Sequence, residues 1–211
     1  MRITKRSRRI TLLMVCAVVV AAQVVPLGIP TTVVPPRAAA PATVYLVDYG
    51  KTTSLVLTVA ENKMVAYAYG DWTYYALRKQ GPVESVAALL WPTQGTLGRK
   101  EINGPSDVDT VRRELGLGRE VVHQFEVERD AVAALHSKLD GIYYDRLNTV
   151  VESYGMTFVH HPKPYTYWSN SNHMTARWLR ELGCETRGPA FNSWWRVQPA
   201  RAARRTPAGA G

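Results

Sequence analysis

Tyr167-Trp168-Ser169-Asn170-Ser171-Asn172-His173-Met174-Thr175-Ala176-Arg177-Trp178-Leu179 reads as a strand or loop that ends in small polar residues and runs into an amphipathic helix. Stepping about 100° per residue from Ser171 puts Met174, Thr175, Trp178 and Leu182 on its side, so Ser171 opens the buried face. His173 falls on the opposite side with Arg177 and Arg180. Residues two apart on a helix do not face each other, so His173 is a poor base for Ser171. Backbone N–H groups at a helix start stabilise a thiolate or an oxyanion. A serine hydroxyl gains less, because without an adjacent base it stays protonated near neutral pH. The plain alternative is that residues 169–172 supply an N-cap worth about 1 kcal/mol.

Upstream of this stretch, residues 44–48, 54–59 and 64–69 are compact apolar runs rich in β-branched side chains, separated by turn residues, and predict three strands. The third runs into the aromatic segment Gly70-Asp71-Trp72-Thr73-Tyr74-Tyr75, of a kind that packs over a core edge or stacks on a ligand. Val83, Val86, Ala87 and Leu90 recur at helical spacing before Pro92. Ser106 with Asp109 predicts a capped start to a helix carrying Val108, Val111 and Leu115 and closing at Gly116. Alternation over residues 121–127 predicts a strand with His123 on its apolar face, where a satisfied core histidine is the simplest reading. Val132, Leu135, Leu139, Ile142 and Tyr143 predict a long helix from Asp130, and residues 158–161 a short strand. The order predicts an α+β domain, with helices packed on a mostly antiparallel sheet.

The net charge of +9 over 211 residues suggests a nucleic-acid binder until it is located. Five basic residues fall in residues 1–9 and four lie beyond Trp195, leaving 17 basic and 17 acidic residues between. A neutral body with a basic leader and tail argues against a nucleic-acid partner. Residues 1–9 are a basic n-region, and residues 10–29 form an uncharged apolar run near the roughly 20 residues that cross a bilayer. The charge asymmetry places the N-terminus in the cytoplasm and the domain outside, either anchored in the inner membrane or released by cleavage after Ala22. Residues 30–42, with Pro30, Pro35, Pro36 and Pro41, predict an extended spacer of about 3.1 Å per residue. The domain is placed at 43–197 and a disordered basic tail at 198–211. Cys16 belongs to the leader, so Cys184 has no disulfide partner inside the domain. No Cys/His spacing suits zinc and no glycine loop suits phosphate, so neither metal nor cofactor is expected.

Three short motifs resemble an exported bacterial family of unknown function within the circularly permuted, NlpC-type papain-like superfamily. Its early His-Gly-Trp-His-Thr-Gly run is matched by Tyr49-Gly50-Lys51-Thr52-Thr53-Ser54, and its Gly-Trp-Gly-Asp run by Ala68-Tyr69-Gly70-Asp71-Trp72. Its Cys-Asn-Thr-Trp-Thr-Ala run is similar to Ser171-Asn172-His173-Met174-Thr175-Ala176. The resemblance implies a papain-like fold in which an early-strand histidine is the base and a late cysteine the nucleophile. Here Thr52 stands at the histidine position and Ser171 at the cysteine position, so both chemical partners are replaced together. Neither threonine nor tyrosine takes a proton as histidine does.

The resulting expectation is an exported pseudoenzyme whose groove binds an envelope peptide or peptidoglycan fragment. Tyr49, Lys51, Thr52, Asp71, Trp72, Ser171 and Asn172 would frame that groove. The competing reading is a hydrolase using Ser171 with His160, His161 or His123 brought to it. A third is a structural envelope protein with no groove.

Overall fold

The computed structural model describes residues 29–36, 38–79 and 91–199. Its centre is a run of hairpins in which apolar β-branched segments meet across short turns. β1 is Thr31–Val34; β2 (Pro41–Asp48) and β3 (Thr53–Ala60) pair antiparallel, and β3 pairs with β4 (Lys63–Asp71). The β2–β3 turn is closed by Tyr49 N–H donating to the Thr52 carbonyl at 2.9 Å, with Gly50 at φ 85°. That φ is reached by glycine without steric cost.

β4 leads into one helical turn, α1 (Trp72–Tyr75). β5 (Gly95–Asn103), α2 (Val108–Leu115), β6 (Val121–Glu128) and α3 (Arg129–Tyr144) follow. β7 (Val151–Ser153), β8 (Met156–His160), α4 (Ser171–Glu181), β9 (Glu185–Arg187) and β10 (Arg196–Pro199) complete the order. Seven strands form an antiparallel sheet in the order β6-β2-β3-β4-β5-β8-β7. A smaller sheet has β1 between β10, which is parallel to it, and β9, which is antiparallel. The domain is therefore α+β with a large antiparallel sheet and few helices.

Both faces of the large sheet are covered, which is why its central strands read as unbroken apolar runs rather than alternating ones. Val44, Leu46, Leu55, Leu57, Val65 and Tyr67 pack with α3 and α4 residues on one face. Tyr45, Val47, Val56, Met64 and Ala66 pack with Val111 of α2 on the other. α3 contributes Val132, Leu135, Leu139 and Tyr143, all buried, at helical spacing. Each such aliphatic side chain contributes about 1.5–3 kcal/mol by leaving water.

Several expectations change. Residues 30–42 are not a free spacer: β1 lies inside them, and β2 begins at Pro41. Their backbone N–H and C=O groups pair with β9 and β10, which the proline content concealed. The expected tail start at 198 falls inside β10, so the folded part reaches Pro199. Asp107 rather than Ser106 caps α2, accepting from Thr110 N–H at 2.7 Å, while Gly116 closes the helix in the left-handed conformation as predicted. Ser106 instead bonds Tyr45 and Thr58, at 3.1 and 2.6 Å. The leader up to residue 28, the helix expected around Val83 to Leu90 and the tail beyond 199 lie outside the described residues. Among the described residues no helix is long and apolar enough to cross a membrane.

Candidate functional site

α4 begins where predicted, at Ser171, and its cap is Asn170. The Asn170 Oδ1 accepts from His173 N–H at 3.0 Å and lies 2.9 Å from His173 Nδ1. The helical-wheel reading holds: Ser171, Met174, Thr175 and Trp178 are buried, and His173 lies on the other side with Arg177 and Arg180. Ser171 is 3% exposed, and its hydroxyl makes no hydrogen bond among the described residues.

The β2–β3 turn does meet this helix start, but through the neighbour of the expected residue. Side chains alternate along a strand, so Thr53, Leu55 and Leu57 face α3 and α4, while Thr52 and Ser54 face the other way. The buried Thr53 hydroxyl lies 2.8 Å from Thr175 Oγ1 and 3.2 Å from Asn172 Oδ1. Asn172 Nδ2 donates to the Lys51 carbonyl at 3.1 Å. Thr52 lies instead beside Tyr75, whose phenol burial holds above its usual range while the Thr52 hydroxyl pulls the other way. A groove framed by both Tyr49 and Ser171 was expected; the cavity at the turn is lined by Tyr49 but not by Ser171 or Asn172.

The opening lies on the opposite face of the same turn. A cavity of about 720 Å³ is bounded by Tyr49, Lys51 and Thr52 from the turn and by Tyr74 and Tyr75 of α1. Leu115, Tyr154, Met156 and Phe158 line its other walls. Gly70 makes room for this wall, because a Cβ there would sit 2.2 Å from the Tyr75 ring. The Tyr49 hydroxyl bonds Ser54 Oγ at 3.1 Å. Lys100 donates to the Glu114 carbonyl, whereas the Lys51 ammonium makes no hydrogen bond or ion pair among the described residues. The volume is within the range that takes a small organic ligand, and six of the fourteen lining residues are aromatic.

The remaining candidates have structural partners. Asp71 is 5% exposed and caps α1, accepting from Tyr74 N–H at 2.8 Å and from the Thr93 hydroxyl. Trp72 meets the His160 ring edge-on at 4.3 Å. His161 accepts from Lys163 N–H at 3.0 Å through Nδ1 and packs edge-on against Tyr69; burial pushes its pKa down to about 4. His123 departs from the satisfied reading: its Nε2 is buried without a hydrogen-bond partner among the described residues. Burial lowers its pKa, with Asp48 and a hydrogen bond to the Trp195 backbone opposing. None of these three histidines bonds Ser171. Burial pushes the Cys184 thiol up to about 12, which keeps it protonated at neutral pH.

Comparison with family models, with curated proteins and with solved structures gives no match. The site is accordingly read from its own geometry. Thr53 and Tyr75 are the site residues that motif matching passed over. Strand alternation counted from Leu55 back to Thr53 was the signal for the first. No signal in the sequence placed Tyr75 over Gly70.

Among the described residues one further polar cluster is built deep into the fold. Arg99 of β5 is paired with Asp140 of α3 at 2.8 Å and Glu101 at 3.0 Å. Tyr67 donates to Asp140 at 2.5 Å and lies 2.7 Å from His136 Nδ1. Arg99 also lies over the Tyr143 and Tyr144 rings. The hydrogen bonds from Arg99 and Tyr67 hold Asp140 below the usual carboxylate range against the effect of burial, so this is a charged clasp between sheet and helix.

Proposed function

We propose that this chain is an exported, catalytically silent domain of papain-like ancestry that binds a peptide or peptidoglycan fragment at the cell envelope. The supporting observation is the division of the two faces at the β2–β3 turn. On one face Thr53 and Asn172 tie the turn to the helix start that carries Ser171. On the other, the turn opens onto a cavity with aromatic walls. A ligand with an apolar body fits those walls, and Lys51 at the rim suits its carboxylate. The apolar leader at 10–29 holds the domain to the inner membrane or directs its secretion. No metal or cofactor enters this reading.

The full chain, solubilised in mild detergent, is titrated calorimetrically with purified muropeptides, in parallel with a Thr52→Trp variant that fills the cavity. Saturable binding by the wild type and its loss in Thr52→Trp are expected. A serine-directed activity probe is then compared between wild type and Ser171→Ala. Labelling that depends on Ser171 would overturn the silent-site reading in favour of a hydrolase. Absence of muropeptide binding would remove the ligand class.

A further inference from the structure

The outer face of α4 carries a second constellation, separate from the cavity at the β2–β3 turn. His173, Arg177 and Arg180 project from this face, four and three residues apart, and so share one stripe of the helix. β9 and the turn after it close over them. A recess of about 260 Å³ lies between, lined by those three residues with Arg187, Thr186 and Trp195 among others. Every ionisable side chain lining it is basic.

Their charges are unevenly matched. Arg187 is taken up by Glu185, through two bonds of 2.7 and 2.9 Å. Among the described residues the Arg180 side chain bonds only the neutral Thr186 hydroxyl, at 2.6 Å. Arg177 is half-buried and makes no hydrogen bond or ion pair among the described residues. The Asn170 Oδ1 beside His173 Nδ1 accepts, so the ring proton sits on Nδ1, and Nε2 keeps a lone pair and donates nothing to an anion. Burial and then Arg177 and Arg180 push the His173 pKa down, a mark of positive charge gathered without its counter-charge.

We propose that this recess is an oxyanion site, in which Arg177 and Arg180 grip a phosphate or carboxylate group. The recess is smaller than the usual range for a whole organic ligand, so it takes a terminal group rather than a complete molecule. Guanidinium forks match both oxyanions, and each charge-assisted bond is stronger than a neutral one. The site does not rest on the muropeptide reading, because no residue of the recess lines the larger cavity.

The full chain in detergent is titrated by calorimetry with inorganic phosphate and, separately, with acetate, at constant ionic strength in chloride. Saturable binding of at least one is expected; phosphate alone points to a phosphorylated source, acetate alone to a carboxylate. Arg177→Gln and Arg180→Gln each weaken it by about tenfold or more, the scale of one lost charge-assisted bond. Arg119→Gln removes an equal charge from an exposed position and leaves binding unchanged. Two Arg variants are used so that misfolding of one does not end the test. No saturation by either anion, or equal weakening by Arg119→Gln, overturns the proposal.

Discussion

The Thr53 hydroxyl lies 3.2 Å from Asn172 Oδ1, joining residues 119 apart in the chain, and the same oxygen lies 2.8 Å from Thr175. One buried polar knot therefore fixes the β2–β3 turn against the start of α4. Thr53→Val keeps the shape and removes the donor, leaving the Asn172 and Thr175 oxygens short of a partner in a buried site. A loss of about 1–2 kcal/mol is expected, with Thr53→Ser costing less than half of that. Chemical denaturation of the full chain reads it directly. Equal stability of Thr53→Val and wild type would mean that the knot does not hold the turn.

The same geometry bears on installing a cysteine–histidine pair. Since Thr52 is turned toward Tyr75, Ser171→Cys combined with Thr52→His should show no thiol-dependent peptide hydrolysis. The histidine would enter the aromatic cavity, on the wrong side of the strand to accept a proton from residue 171. Hydrolysis by that double variant, sensitive to a thiol alkylator, would contradict the assignment of faces.

Arg99 and Asp140 form a nearly buried pair, with side chains 9% and 18% exposed. Removing Asp140 leaves the buried Arg99 only the half-exposed Glu101 and takes the acceptor from Tyr67, so Asp140→Ala is expected to lose about 3 kcal/mol. Arg99→Met with Asp140→Leu should recover much of that, because no unpaired charge remains. Thermal melts of the three proteins separate the cost of the orphan from the value of the pair.

His161 makes stability depend on pH. Its pKa falls from an ordinary 6.5 to about 4 on folding, chiefly through burial. Between those values the unfolded chain binds the proton that the folded chain refuses. Its contribution is therefore fully present above pH 6.5 and is lost as pH falls toward 4, on the order of 3 kcal/mol in all. In His161→Gln the difference in stability between pH 7 and pH 4 should shrink by a comparable amount. An unchanged difference would show that the ring titrates normally in the fold.

Gly70 bears on the cavity through Tyr75. A methyl group at this position would meet the ring at 2.2 Å, so Gly70→Ala forces the ring out and reshapes the wall. Muropeptide affinity should fall by about tenfold or more, the effect of losing a well-packed aromatic contact. Affinity within twofold of wild type would remove Tyr75 from the binding wall.

The hairpins of β2, β3 and β4 were legible because branched apolar runs between turn residues leave few alternatives. α3 and α4 were legible from spacing alone. β5 was not, although it sits inside the sheet, because Arg99-Lys100-Glu101 looks like a solvated run. Arg99 alone of the three is buried, and its partner is Asp140, 41 residues away, which no local pattern announces. β1, β9 and β10 are three or four residues each and are defined only by pairing with one another. At the site, motif spacing led to Thr52, whereas strand parity selects Thr53 as the contact to α4. The cavity depended on which face α1 turns its tyrosines toward, a matter of tertiary packing.

The parallel pairing of β1 with β10 sets how the domain would carry a load. Thr31 lies opposite Arg196 and Val34 opposite Pro199, so the chain enters this strand pair at one end and leaves it at the other. Tension applied between a point before Thr31 and one after Pro199 pulls the two strands lengthwise past each other. Their hydrogen bonds are then strained together in shear, rather than opened singly as in a zipper. If residues 10–29 fix the protein to a surface, a tug on the far side of Pro199 meets this small sheet first, and the larger sheet and its cavity are shielded behind it.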